Sequence, residues 1–213
     1  MFTNIGPLIN NAKTRTYADL LTTNNFGVIK GSVYTITTET MPLTKAEDAQ
    51  KVLGAVYQHW RNTTKSLIST PGLISSMAWQ PIPKRLARKA RELGGELLDL
   101  DDDVDRIILE YNYSYPSQLS DEKVYLALQS LYEGTKDIVD QFTQSGKVPE
   151  AYLPLFANDG HFRQDYFGRL RTVDFARSVR DRYDPHGFFA DRTGGSICED
   201  VVDVEVSFVV VSR

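Results

Sequence analysis

The sequence predicts an α+β fold: an antiparallel β-sheet with its helices packed on one face. Stretches rich in β-branched and aromatic residues alternate with amphipathic helical stretches. The best-defined strand, residues 106–115, sets Ile107, Leu109, Tyr111 and Tyr113 on one side and Ile108, Glu110, Asn112 and Ser114 on the other. Alternating strands and helices also fit a parallel α/β sheet. Parallel strands, however, are buried on both sides and read as continuous apolar runs, so half-polar strands favour the antiparallel form.

Each element has its own signal. Residues 31–38 are rich in β-branched and aromatic side chains and read as a strand. Thr44-Lys45-Ala46-Glu47 has the form of a capping box, and Val52, Val56 and Trp60 follow at helical spacing, so a helix is expected to about Arg61. Residues 73–80 suit a second strand, stopped by Pro81 and Pro83 because proline cannot continue a ladder. A short basic helix over 83–93 ends at Gly94-Gly95. After the third strand, Ser120 is positioned to cap a long helix. Asp121 and Glu122 suit the positive end of its dipole. Its apolar stripe is Val124, Leu128, Leu131, Ile138 and Phe142, and Gly146 closes it. Residues 151–158 read as a fourth strand, 174–182 as a last helix, and 201–211 as a fifth strand.

The chain has 213 residues, enough for a core that needs no staples, and is expected to form a single domain over 1–213. A net charge of -4 gives no electrostatic case for nucleic acid or an anionic membrane. One cysteine, Cys198, excludes an intrachain disulfide and fits a reducing compartment. With no apolar stretch of membrane-spanning length and no secretory signal, a cytoplasmic location is expected. Two glycosylation sequons, at Asn62 and Asn112, read as chance matches. The acidic run Asp99, Asp101, Asp102, Asp103 and Asp105 lacks the glycine and glutamate of a calcium loop and reads as solvated. Three histidines and one cysteine give no zinc spacing.

Tyr183-Asp184-Pro185-His186-Gly187-Phe188-Phe189, following Asn158-Asp159-Gly160-His161, resembles the C-terminal signature of FAD-linked oxidoreductases of the berberine-bridge type. Met77-Ala78-Trp79-Gln80-Pro81-Ile82-Pro83, the segment Leu93-Gly94-Gly95-Glu96 to Leu100, and residues 152–167 are similar to that family in the same order. The resemblance implies a substrate-binding domain, an antiparallel sheet backed by helices with its open face toward the flavin. It also implies that the flavin-holding N-terminal domain lies outside this sequence. Here Phe156 stands where the family's Tyr-x-Asn motif has tyrosine, while Asn158 remains. No glycine-rich loop opens a helix to cradle phosphate, so no cofactor is expected on this chain.

The resemblance and the alternation together suggest a site. If one side of 151–158 faces a cavity, Tyr152, Phe156 and Asn158 lie there together. Asn158 either orients a carbonyl or closes a strand. Asp159 and His161 either form an acid–base pair or sit in a loop, a surface position favoured for His161. Glu110, mid-strand among aromatics, is either a desolvated general acid or base or a solvent-facing ion-pair partner, with Asn112 on its face. Tyr113 reads as core or cavity wall. Trp79 and Gln80 point to opposite faces, so one of them meets substrate. The expected activity is redox-neutral isomerisation or cyclisation of an apolar or phenolic intermediate of fungal secondary metabolism. The alternatives are half of a split FAD-dependent oxidoreductase completed by a flavin-domain partner, and a non-catalytic module that dimerises through its sheet face.

Overall fold

The computed structural model describes residues 14–24 and 29–189. Internal contacts divide the chain into two units, residues 1–32 and 33–213. In the first, α1 (Tyr17–Asn24) opens on a reciprocal cap: Asp19 N donates to Thr16 Oγ1 at 3.1 Å and Thr16 N to the Asp19 carboxylate at 3.4 Å.

The second unit is built on a three-stranded sheet, β1 (Val33–Pro42), β2 (Ile74–Ile82) and β3 (Arg106–Tyr115), in the order β1-β3-β2. Both pairings are antiparallel. The outer strands therefore run parallel to each other with β3 between them, and α2 (Ala49–Ser66) connects them. With α4 (Asp121–Gln144) on the same face, this is an α+β arrangement: one face is packed on helices, and the other is covered at one end by residues 98–100 and 154–156 and reaches the surface around Glu110 and Asn112.

Register fixes the two faces. Met41 sits opposite Ile107, Glu39 opposite Leu109 and Thr37 opposite Tyr111, all on the helix side. There Met41, Leu109, Tyr111, Tyr113 and Tyr115 of the sheet join Val52, Val56, Val124, Leu128 and Leu131 of the helices in one buried cluster. Each buried aliphatic side chain contributes about 1.5–3 kcal/mol, so this layer is the main source of stability. The apolar stripe expected for α4, including Ile138 and Phe142, lies in this cluster. The alternate set lies on the other face: Thr38 opposite Glu110, Glu110 opposite Ala78, Asn112 opposite Ser76, and Ile108 opposite Gln80, with Thr38 and Ile108 buried.

Several boundaries shift for identifiable reasons. β1 runs on to Pro42, well past residue 38. β2 continues through Pro81 to Ile82; it is an edge strand, where a missing N–H costs no ladder bond. The capping box does not form. Asp48 precedes α2, and the Thr44 hydroxyl instead donates to the carbonyls of Lys45 and Lys147, both at 3.2 Å. α2 continues beyond Arg61 to Ser66. Ser120 makes no side-chain cap; Ser117 accepts from Leu119 N and caps a 3-10 turn that leads into α4. The basic helix α3 (Lys84–Glu92) ends at Gly94 and Gly95, whose φ values of 110° and 89° need glycine. The last described helix is α5 (Val173–Tyr183).

The expected fourth strand is absent. Residues 151–156 form no ladder, and a 3-10 turn, Ala157–Asp159, follows. Pro154 has no N–H to give, and side chains already occupy the backbone groups of β1. Glu39 takes Thr40 N at 2.8 Å, and the Gln164 amide takes both Thr38 N and Thr38 O, at 3.2 and 2.8 Å. Residues 151–158 are held instead by Arg106 Nε on the Tyr152 carbonyl, 2.9 Å, and Thr40 Oγ1 on the Pro154 carbonyl, 2.6 Å. The fifth strand expected at 201–211 lies outside the described residues.

Candidate functional site

Alternation along β3 and β2 brings Glu110, Asn112 and Gln80 to the open face of the sheet. The 3-10 turn then delivers Asp159 to them. Gln80 Nε2 donates to Glu110 Oε2 at 2.6 Å and to Asp159 Oδ2 at 2.8 Å, so one amide bridges two carboxyl groups. Asn112 Nδ2 donates to the other oxygen of Glu110 at 2.5 Å. Asp159 is buried, whereas Glu110, Gln80 and Asn112 are half-buried and reach the open surface. Burial raises the pKa of Asp159 above the ordinary aspartate range, and the Glu110 charge adds to the rise; the Gln80 hydrogen bond opposes both. Asp159 thus keeps its proton to higher pH than a solvated aspartate, beside a Glu110 whose two oxygens each accept an amide bond.

The remaining expected site residues are placed elsewhere. Trp79 packs on the helix side with the core, so Gln80 is the one that reaches the open face. Tyr113 is also on the helix side, 1% exposed, with its hydroxyl 2.7 Å from Thr64 Oγ1. It is a core residue and not a cavity wall. Because 151–158 is not a strand, alternation does not gather Tyr152, Phe156 and Asn158. Tyr152 lies under the Arg171 guanidinium, 4.4 Å from ring centre to Cζ, and its hydroxyl accepts from Arg171 N. Phe156 walls a small apolar cavity with Ile82, Ile108 and Leu155. Asn158 is exposed on the turn.

His161 is neither a surface histidine nor a partner of Asp159. It is 5% exposed and packed between Tyr125, edge to face with centroids 5.1 Å apart, and Phe162, tilted with centroids 4.3 Å apart. Its Nδ1 accepts from Arg163 N at 3.3 Å, so the neutral ring carries its proton on Nε2, which is buried without a hydrogen-bond partner. Burial, with a smaller contribution from the Arg163 charge, lowers its pKa to about 4.

Sequence reasoning missed two groups. Gln164 lies in a polar and aromatic turn with no distinguishing pattern, yet its side chain makes four hydrogen bonds. Glu39, inside a threonine-rich strand, is 1% exposed and held by both terminal nitrogens of Arg169 at 2.9 and 2.8 Å. Only the expectation that a buried carboxylate needs a cation could have pointed to that pair. Three members of the acidic run are paired with arginines: Asp101 with Arg106, Asp102 with Arg88 and Asp99 with Arg171. Among the described residues no group of three or more histidine, cysteine or acidic side chains is placed to hold a metal, and no helix is long and apolar enough to cross a membrane.

A curated protein of Arthroderma benhamiae, described as an uncharacterised FAD-linked oxidoreductase, is 34% identical over 197 residues. The chain is related to an FAD-linked oxidoreductase. The match covers 91% of this chain and 39% of the relative's length. No protein-family model matches the chain, and no solved structure matches it.

The open-face site and the cavity beside Phe156 do not fit the flavin that this relationship implies. FAD needs an amide-lined cradle for its pyrophosphate and a slot for its ring system. The open face offers two carboxyl groups, whose negative charge opposes pyrophosphate. The cavity beside Phe156 has a volume of about 10 Å³, room for about one water molecule.

Proposed function

We propose that the open face of the sheet is a platform on which the Glu110–Asp159 pair moves protons on a small organic substrate. The reaction class is redox-neutral isomerisation or cyclisation of a phenolic or enolisable molecule, the chemistry expected of a fungal secondary-metabolite enzyme. The observation that carries this reading is the single Gln80 amide bridging two carboxyl groups in unlike surroundings. Two carboxyls whose environments differ divide the roles of acid and base. Glu110, half-exposed and anchored by Gln80 and Asn112, takes a proton from a substrate O–H or acidic C–H. Asp159, whose burial raises its pKa above the ordinary aspartate range, returns one at a second position. Positioned acid–base groups of this kind are worth about 10²–10⁴-fold in rate.

A second reading is favoured by the FAD-linked relative. In it, a substrate domain of the berberine-bridge type presents its open face to a flavin domain held outside this sequence. The same carboxyl pair then serves substrate binding and proton transfer there.

Solvent exchange tests the first reading. The protein is incubated in D₂O with a panel of phenols and β-dicarbonyl compounds, and deuterium incorporation is followed by mass spectrometry. Incorporation into at least one compound is expected, with loss of most of it in Glu110→Gln and Asp159→Asn. Equal incorporation by the wild type and both variants would refute the assignment. Flavin absorbance in a complex with a separately supplied flavin-domain protein supports the second reading.

A further inference from the structure

The turn that delivers Asp159 must itself be anchored, because residues 151–158 make no ladder with the sheet. We propose that Gln164 is a positioning residue: its side-chain amide pins the 157–164 turn to β1 and thereby holds Asp159 over Glu110.

The geometry is specific. Gln164 Oε1 accepts from Thr37 Oγ1 at 2.7 Å, from Thr38 N at 3.2 Å and from His161 N at 3.0 Å. Its Nε2 donates to the Thr38 carbonyl at 2.8 Å. The side chain thus replaces the missing neighbour strand at one residue of β1 and ties that residue to His161, two positions after Asp159. A further bond, Gln164 N to the His161 carbonyl at 2.8 Å, closes the turn on itself. Thr38 is the residue that pairs with Glu110 across the ladder. One amide therefore links the backbone beside Glu110 to the backbone beside Asp159, and Gln80 completes the bridge from the other strand. Gln164 is 8% exposed, so its bonds face little competition from water. No other side chain joins these two backbones among the described hydrogen bonds.

This inference deepens the proton-transfer reading, but its test needs no substrate. The titration of the Asp159 carboxyl is followed by ¹³C NMR in the full 213-residue chain, in wild type and in Gln164→Met, which keeps the shape and removes all four side-chain bonds. The Asp159 midpoint is expected to fall toward the ordinary aspartate value of 3.8 as the turn releases it from Glu110 and from burial. A side chain that merely stabilised the fold would lower the melting temperature and leave that midpoint unchanged. An unchanged midpoint in a folded variant overturns the proposal. Should Gln164→Met not fold, Thr37→Val removes one bond to Oε1 and decides alone: a smaller fall of the midpoint supports the assignment, and none overturns it. If deuterium exchange fails while the midpoint falls, the activity is wrong and the positioning stands.

Discussion

Acid should destabilise this protein through His161 before ordinary carboxylates begin to protonate. The folded ring has a pKa of about 4, against 6.5 for an unperturbed imidazole. Between those values the unfolded chain binds a proton that the folded chain refuses, so stability falls as pH falls. The contribution is complete above pH 6.5 and lost progressively toward pH 4. At about 1.4 kcal/mol per pH unit the loss amounts to about 3 kcal/mol, a large share of the about 5–15 kcal/mol typical of a domain. The perturbation is His161→Phe, which keeps the ring contacts with Tyr125 and Phe162 and removes the titrating group. It also removes the unpartnered Nε2–H, whose burial costs about 1–3 kcal/mol, and gives up the Arg163 N bond to Nδ1. The assay is urea unfolding at a series of pH values. Wild type should lose about 3 kcal/mol across this window more than the variant does. Taking the difference between the two chains cancels Asp101, Asp102 and Glu122, whose arginine partners lower their pKa values in both. Parallel loss in the two proteins would refute the buried neutral histidine.

Asp159→Asn should be more stable than wild type at neutral pH. A raised folded pKa makes an aspartate a cost that grows as pH climbs from 3.8 to its folded midpoint, so the gap in melting temperature should open across that range and vanish below it. Arg169→Ala should cost about 3–5 kcal/mol by leaving Glu39 charged and unpaired at 1% exposure. The double variant Glu39→Met with Arg169→Met should recover most of that in denaturant melts. Gly134→Ala, which in an ordinary helix gains about 1 kcal/mol, should here lose stability. Its Cβ would stand 2.5 Å from His59 Nε2 at the α2–α4 contact. Adding His59→Ala should reverse the sign, as measured by thermal unfolding.

The sequence by itself determined the period of the three sheet strands and of α4, and hence their faces. β3 was legible to the residue, and so was the apolar stripe of α4, because side-chain alternation and helical spacing are local properties that one buried layer enforces. Alternation alone also put Glu110 and Asn112 on one face and separated Gln80 from Trp79. Tertiary structure decided what arrives from far along the chain. The 157–164 turn brings Asp159 within hydrogen-bond reach of Gln80, 79 residues earlier, and sinks His161 under Tyr125. It also decided that residues 151–158 would not be a strand, since Glu39 and Gln164 had already taken the β1 backbone groups that a strand would need. Periodicity tells a residue which side of its own element it faces. Which distant group satisfies an open edge or a buried charge depends on three-dimensional proximity, and a local pattern carries no record of it.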